Sequence, residues 1–331
     1  MDAKKYALID LHLHLDGSLS LASARSLAKM QGIALPRDDG ELLSLLRVSK
    51  DCRDLNEYLE RFELPLTLLQ TADAIKRAAA TLCEELYEAG LLYAEIRFAP
   101  QLHTREGLSQ EKAVEAALDG LKESKLCASL ILCAMRARDN RGENLITAGL
   151  VKKYLGRGVC ALDIAGAEAL YPNELFAELF EYAVSLSLPI TIHAGEALGA
   201  DSVRSAIELG AHRIGHGVRS VEDKELLPLL KEKRIALELC PTSNLNTCVF
   251  ERLEDYPIRE LLDAGVAVTL NTDNLAVSNT SLAEEYQKIA DTFGLSESEL
   301  SEITFNSARS AFLSRKEIEE LICQIEDRLK I

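Results

Sequence analysis

The feature that most constrains the fold is a regular alternation of short apolar runs with longer amphipathic helical patterns. Eight of the runs have the length and composition of buried strands. They cover residues 7–14, 91–100, 128–135, 158–166, 188–195, 212–217, 234–240 and 266–273. Strands that alternate with helices pair in parallel, and eight such units are typical of a closed barrel. We therefore predict an α/β fold, a (β/α)8 TIM barrel, with a doubly wound sheet as the alternative.

The segment between the first two predicted strands is far longer than one crossover helix requires. Helical patterns in it cover residues 20–31, 54–69 and 73–89, and Gly90 is placed to end the last of them. This segment, about residues 18–90, is predicted to form a helical cap inserted after strand 1. Because no linker or repeat divides the chain, residues 1–331 are predicted to form a single metal-dependent domain.

Charge and cysteine content limit the partners and the compartment. The formal net charge is −16, with acidic residues spread along the chain, which argues against nucleic acid or an anionic membrane as a partner. No apolar run approaches the length of a membrane span. The eight cysteines lack paired CxxC spacing, and residues 1–6 (MDAKKY) do not resemble a signal peptide. We therefore expect reduced cysteines and a cytoplasmic location.

Residues 9–18 read IDLHLHLDGS, in which apolar and polar side chains alternate. In a strand this alternation places His12 and His14 on the same face as Asp10 and Asp16. Such a face either contacts water or binds a ligand that takes nitrogen and oxygen donors.

Further polar side chains fall at the carboxyl ends of the predicted strands, where barrel enzymes carry their sites. Four of the six histidines are there, and the residues concerned are His12, His14, His193, Glu196, His216 and Asp273. A lone histidine at a strand end is more often a surface or capping residue, and Asp273 could cap a helix. The coincidence of all these ends favours a site. No role is assigned to His103 or His212.

Three neutral imidazoles and one carboxylate suit zinc better than calcium or magnesium. The predicted ligands are His12, His14, His193 and Asp273, holding one Zn²⁺ per chain and leaving a position for water. Zinc lowers the pKa of a bound water towards about 7. Glu196 and His216 are then available for proton transfer and orientation.

Six motifs occur in the order LHLHLDGS, DIAG, HAGE, IGHG, CPTSN and LNTDN between residues 8 and about 285. Together they resemble the adenosine deaminase family of the amidohydrolase superfamily. An HxH motif alone is weak, but HAGE followed by GHG and NTD at strand ends is specific. The resemblance implies zinc-dependent hydrolysis of adenosine and 2′-deoxyadenosine to inosine and ammonia, through attack of metal-bound hydroxide on C6.

The resemblance also implies roles for individual residues. Glu196 matches the glutamate that protonates purine N1, and His216 matches the histidine that orients the hydroxide. Asp273, besides ligating zinc, can accept a hydrogen bond from the same hydroxide. His14 is included among the substrate-binding residues as well as the ligands.

For the rest of the substrate, the resemblance places Gly166 at purine N3 and Asp16 at the ribose 5′-hydroxyl. It also implies a gate helix in DLNEYLERF, whose apolar face consists of Leu55, Tyr58, Leu59 and Phe62. Such a face is usually part of a core, whereas as a lid it would exclude bulk water.

Asn274 departs from the family pattern, which often has a second aspartate after the zinc-binding one. An amide donates a hydrogen bond to purine N7 without first taking up a proton, so Asn274 is predicted to keep that contact. Asp16 beside a 5′-phosphate would bring like charges together, which favours a nucleoside over AMP.

Several other functions were weighed. A two-metal hydrolase usually needs a lysine near the end of strand 4, and GVCALDIAG has none. The zinc deaminases with H-x-E and P-C-x-x-C motifs are excluded by HAGE and CPTSN. The open alternatives are sister deaminases of adenine, of N6-methylated nucleotides or of an adenine-bearing menaquinone precursor, and a purine-binding relative without catalysis. In every case the predicted partner is a small molecule, and the oligomeric state is not predicted.

Overall fold

The computed structural model describes residues 6–49 and 51–330 of the chain. Its β-strands all pair in parallel. They are β1 (Leu8–His14), β2 (Leu91–Phe98), β3 (Cys127–Met135), β4 (Val159–Ala165), β5 (Thr191–Ala194), β6 (Arg213–His216), β7 (Ala236–Leu239) and β8 (Val268–Leu270).

The strands form two sheets, ordered β1-β2-β3-β4 and β5-β6-β7-β8. A parallel bridge between Leu162 and Ile190 joins β4 to the residues just before β5, and a second between Leu13 and Asp273 joins β1 to those just after β8. Since both edges are bridged, the two sheets close into one barrel. The predicted (β/α)8 fold is confirmed, and the doubly wound alternative does not fit these bridges.

The α-helices follow the strands and surround the barrel. They are α1 (Leu21–Gln31), α2 (Asp39–Leu46), α3 (Leu55–Leu59), α4 (Glu63–Leu68), α5 (Ala72–Glu88), α6 (Gln110–Leu121), α7 (Arg141–Tyr154), α8 (Ala177–Ser185), α9 (Ala200–Glu208), α10 (Leu226–Lys233), α11 (Pro241–Asn246), α12 (Ile258–Asp263), α13 (Leu282–Phe293), α14 (Glu297–Ser310) and α15 (Arg315–Leu329). Among residues 6–49 and 51–330, no helix has the length and apolar character needed to span a bilayer.

Helices α1 to α5 occupy the segment between β1 and β2, and two details differ from the sequence prediction. Helix α2 was not predicted, although the Asp38 carboxylate caps it by accepting a hydrogen bond from the backbone of Glu41. The helix predicted over 54–69 is interrupted by a 3-10 turn at Glu60–Phe62. Pro65 explains the interruption because it lacks the N–H that would continue α-helical bonding there.

Strand β1 uses its two faces as the alternation predicted, up to His14. Ile9 and Leu11 are buried against Ala308 of α14 and Ile325 of α15, whereas Asp10 and His12 are buried on the other face. Asp16, which was expected to continue this face, lies instead in a 3-10 turn. The polar face of β1 therefore faces the barrel interior, not water.

The barrel interior contains five fully buried charged side chains that pair with one another, Glu95, Arg97, Asp163, Arg213 and Glu238. Arg97 donates to Asp163 at 2.7 Å and to Glu238 at 2.8 Å. Arg213 donates to Glu238 and to Glu95, each at 2.6 Å. Buried charges are tolerated when they are paired and hydrogen-bonded in this way.

Removing the cation at position 97 is expected to destabilise the fold, because the buried carboxylates of Asp163 and Glu238 would each lose one cationic partner. Arg97→Met should lower the free energy of unfolding by about 3–5 kcal/mol. Arg309→Met removes a surface pair with Glu302 and should cost less than about 1 kcal/mol. Urea unfolding followed by circular dichroism measures both, and equal effects would contradict the predicted difference.

Candidate metal and substrate site

Four polar side chains converge at the carboxyl ends of β1, β5, β6 and β8. One ligand atom from each of His12, His193, His216 and Asp273 lies within 4.8 Å of all the others, and all four residues are buried. Among the described residues this is the group of histidine, cysteine and carboxylate side chains able to hold a metal ion.

His14 adjoins this group from the end of β1. Its Nε2 lies 3.3 Å from His193 Nε2 and 3.3 Å from Asp273 Oδ1. All four ligands predicted from the sequence are therefore at one place, and His216 is a fifth candidate.

Buried carboxylates orient two of the imidazoles. His12 Nδ1 lies 2.8 Å from Glu238 Oε2, and His193 Nδ1 lies 2.9 Å from Asp163 Oδ2. A proton on each Nδ1 satisfies these contacts and leaves the lone pair of Nε2 free for a ligand. This carboxylate–imidazole arrangement is typical of metal-binding histidines.

Three spacings between the donor atoms fit a single zinc ion. His12 Nε2 is buried without a hydrogen-bond partner, and it lies 3.4 Å from Asp273 Oδ1. Two donors that lie about 2.1 Å from one zinc ion and subtend an angle of about 110° are about 3.4 Å apart. Asp273 Oδ1 lies 3.4 Å from His12 Nε2 and 3.3 Å from His14 Nε2, and the Nε2 atoms of His14 and His193 are 3.3 Å apart. These spacings agree with that value.

His216 is oriented differently from the other imidazoles. Its Nδ1 lies 3.2 Å from the amide nitrogen of Asn244, whose amide oxygen accepts from Tyr256. With the amide in this orientation, Nδ1 accepts and the neutral ring carries its proton on Nε2. His216 therefore presents a donor to the centre, rather than a lone pair.

Two of the site residues have a left-handed backbone that is uncommon outside glycine. His216 and Asp273 both have φ = 60°. Such conformations cost free energy and occur often at functional sites. At these strand ends they turn the side chains towards the common centre.

Burial favours the protonation states that a metal ligand needs. Burial lowers the pKa of His14 and His216 well below the usual value, and lowers that of His193 as well. Burial raises the pKa of Asp273, but the adjacent imidazole of His12 outweighs it and holds that pKa well below its usual value. Neutral imidazoles at these three residues and an ionised Asp273 result. At His12 burial lowers the pKa, but the hydrogen bonds to Asp273 and Glu238 outweigh it and raise that pKa above its usual value.

Glu196 has the opposite protonation preference. Burial, and then the negative charges of Asp273 and Glu168, raise its pKa well above the usual value. Its Oε2 lies 3.6 Å from His216 Nε2, and its Oε1 lies 3.3 Å from the Thr247 hydroxyl. A carboxyl group in this environment can hold a proton near neutral pH and give it to a ligand.

A cavity opens directly above this cluster and combines polar and apolar walls. It contains every residue that was predicted to bind substrate, together with three of the predicted ligands. Its lining includes His14, Asp16, Leu55, Tyr58, Leu59, Phe62, Gly166, His193, Glu196, His216, Asp273 and Asn274. Apolar walls with a few convergent polar groups are typical of small-molecule sites.

Two glycines allow close approach at this cavity. Gly166 has φ = 110°, a conformation that side-chain-bearing residues rarely adopt. At Gly17, a Cβ atom would lie 1.7 Å from Asn274 Oδ1, so any larger residue there would displace the Asn274 amide.

His103 and His212 take no part in the cluster, as expected. His103 Nδ1 lies 2.9 Å from the carbonyl oxygen of Leu69, and His212 Nδ1 accepts from the backbone of Ile190 at 3.2 Å.

Several residues that support the site were not identified from the sequence: Gly17, Asp163, Glu168, Glu238, Ser243 and Asn244. A signal was present for Asp163 and Glu238, since each is a single charge inside an otherwise apolar strand. Ser243, which donates to Asp273 Oδ2, and Asn244 belong to the CPTSN motif, to which no role had been given.

Comparison with known proteins agrees with this geometry. Residues 7–328 match the family model described as adenosine deaminase. An adenosine deaminase of Haemophilus ducreyi is 49% identical, with 98% of this chain and 97% of that protein aligned. One from Enterococcus faecalis is 41% identical over 93% of each chain. The crystal structure of an adenine deaminase from Arthrobacter aurescens is 26% identical, with a TM-score of 0.88 over 98% of this chain and 100% of that one.

The match covers nearly the whole chain, and it includes the strand ends that carry the buried imidazoles and Asp273. On this evidence the chain belongs to the adenosine deaminase family.

Proposed function

We propose that this protein hydrolyses adenosine and 2′-deoxyadenosine to the corresponding inosines and ammonia. It is thus a hydrolase acting on C–N bonds in cyclic amidines. The observation that carries the proposal is the arrangement of three imidazoles and a carboxylate at the base of a cavity whose wall holds a protonatable Glu196. Relatives of up to 49% identity that are named adenosine deaminase support it.

One zinc ion would be held by His12, His14, His193 and Asp273, whose donor atoms have the spacings given above. When bound, such a cation supplies a Lewis acid that makes water a nucleophile at neutral pH. Glu238 and Asp163 hold two of the imidazoles with Nε2 available.

Glu196 and His216 are the two proton donors beside the reacting carbon. The Glu196 carboxyl donates to purine N1, which withdraws electrons from C6 and favours attack there. His216 donates from Nε2 to the oxygen that adds to C6 and so offsets its charge. Asp273 keeps one carboxylate oxygen in contact with Ser243, which limits rotation of the group.

The remaining cavity residues select the substrate. Gly166 offers its backbone N–H to purine N3, Asn274 donates to N7, and Asp16 binds the ribose 5′-hydroxyl. Burial raises the pKa of Asp16 to about 6, so at neutral pH it is mostly ionised and would repel a 5′-phosphate.

The α3 segment forms the lid in this proposal. Leu55, Tyr58, Leu59 and Phe62 all line the cavity, and the Tyr58 hydroxyl bonds that of Ser278 at 2.8 Å. Such a lid excludes bulk water from the reacting ring. The single-domain organisation with a cap of about residues 18–90 and the cytoplasmic location stay predictions.

A substrate panel tests the reaction directly. Ammonia release should be fastest with adenosine and 2′-deoxyadenosine, and kcat/KM should be lower for adenine, which lacks the ribose, and for AMP, which carries the phosphate. Glu196→Gln should lower kcat for adenosine by about 10²-fold or more, because the proton donor is lost.

The same panel identifies the alternatives. A higher kcat/KM for adenine would indicate the activity named for the Arthrobacter aurescens protein. A clear preference for AMP would contradict the assignment of Asp16. Failure to release ammonia from any 6-aminopurine, with zinc bound, would contradict the proposed function.

Substitution of His14 and substitution of His216 should have different effects on zinc affinity. His14→Ala should lower zinc affinity by about tenfold or more, because a ligand is lost. His216→Ala should leave affinity within about threefold while lowering kcat, since its Nε2 carries a proton. Competition with a chromophoric chelator measures both, and the reverse order would show that His216 is the ligand.

Asn274→Ala should lower kcat/KM for adenosine by about tenfold, the value of one hydrogen bond of roughly 1–1.5 kcal/mol. Asn274→Asp is the matched control, since a carboxyl group can donate to N7 only when protonated. Its kcat/KM should therefore fall relative to wild type as the pH rises. An unchanged kcat/KM in Asn274→Ala would show that the amide does not contact the purine.

A further inference from the structure

Glu168 is a buried carboxylate outside the catalytic set, and it lies two residues beyond Gly166. Its side chain is buried, with the whole residue 1% exposed. It accepts hydrogen bonds from four consecutive backbone N–H groups, those of residues 195–198, at distances of 2.8, 3.2, 2.7 and 3.0 Å. The Ser202 hydroxyl adds a fifth bond at 2.5 Å.

Residues 195–198 form the turn between β5 and α9, and Glu196 is its second residue. The turn begins at Gly195, whose φ of 69° is a left-handed conformation. Consecutive N–H groups that curve around one point form an anion-binding concavity. Here the anion is the side chain of another loop of the same protein.

The carbonyl groups of this turn are bonded to different residues. Ala194 accepts from the backbone of Gly217, Gly195 from the backbone of Arg219, and Ala197 from the Arg219 guanidinium. All four N–H groups therefore depend on Glu168, and its loss would leave them without these partners. Unpaired N–H groups are costly at buried positions, which here are Gly195 and Glu196, so the turn would change conformation.

Further hydrogen bonds join the segments on either side of the contact between Glu168 and the turn. Asn173 donates to the Ser202 carbonyl at 2.9 Å, and Arg136 donates to Asn173 and to the carbonyl of His193, each at 2.6 Å. The loop after β4, the turn after β5 and the first turn of α9 are thus one hydrogen-bonded unit.

We propose that Glu168 is a positioning residue that fixes the turn carrying Glu196, and thereby aims the Glu196 carboxyl at the purine ring. The inference rests on the proposed function for the role of Glu196. The inference adds to that function that a side chain on the neighbouring loop determines the position of the proton donor. A displacement of about 1 Å at a catalytic group can cost about 10²-fold in rate.

A double-mutant cycle separates positioning from a general loss of structure. Glu168→Gln keeps the size of the side chain but replaces one acceptor oxygen with a donor. It should lower kcat for adenosine by about 10²-fold in the wild-type background. In a Glu196→Gln background it should lower the residual kcat by less than about threefold, because the group it positions is already absent.

Hydrogen exchange followed by mass spectrometry gives a readout that does not depend on activity. In Glu168→Gln the amides of residues 195–198 should exchange faster, whereas those of β5 and β6 should keep their wild-type protection. If the wild type proves inactive on adenosine, the proposed function fails but the exchange result still tests the contact.

Glu299→Gln is a matched control. The Glu299 carboxylate accepts hydrogen bonds from the backbone of Ser296 and from the Arg259 guanidinium, and it does not line the cavity. It should leave kcat unchanged.

If Glu168→Gln does not accumulate as folded protein, the same measurements are made on a milder variant, Ser202→Ala. Ser202→Ala removes one of the five donors and should raise exchange at Gly195 with a fall in kcat of about threefold. Equal losses of kcat in both backgrounds, or unchanged exchange at residues 195–198 in the variants, would overturn the inference.

Discussion

The contact of Arg97 with Asp163 and Glu238 is the interaction on which the site depends. Each of these carboxylates also bonds the Nδ1 of an imidazole, at His193 and His12. A carboxylate buried in a barrel without a cation would be protonated or displaced, and the imidazole it holds would lose its orientation. The charges that stabilise the barrel interior are therefore the same charges that set the tautomers of His12 and His193.

The groups at the strand ends have opposite protonation preferences. The imidazoles of His14 and His216, whose pKa is lowered by burial, and an ionised Asp273 lie close to Glu196, whose pKa is raised by burial. Opposite protonation preferences over a short distance allow one site to supply an acid and a nucleophile at the same pH. The strained backbones of His216 and Asp273 are consistent with this use.

Much of this could be predicted from the sequence, because periodicity reports which residues are buried. The alternation in IDLHLHLDGS predicted that His12 lies on the polar face of its strand, and the structure shows that this face is buried. The ends of the other apolar runs placed His193, His216 and Asp273 at the same edge of the barrel. The 3-10 turn at Glu60–Phe62 and the short helix α2 were not predicted. Local propensity over so few residues is a weak guide against packing.

The supporting contacts could not be predicted because they join residues far apart in the chain. Glu238 meets His12 across 226 positions, and nothing local to either residue specifies the other. The four bonds to Glu168 depend on the conformation of a turn, which side-chain patterns do not describe. Asp16 was placed on a strand face because the alternation continues past the point where β1 ends.

We propose that these strand ends hold one zinc ion through three imidazoles and Asp273, with His216 outside the coordination shell. X-ray absorption spectroscopy of the zinc-loaded protein tests this most directly. The account predicts a first shell of nitrogen and oxygen at about 2.0–2.2 Å, with scattering from three imidazole rings. Sulfur in the shell, a fourth imidazole, or a protein that binds no zinc would contradict it.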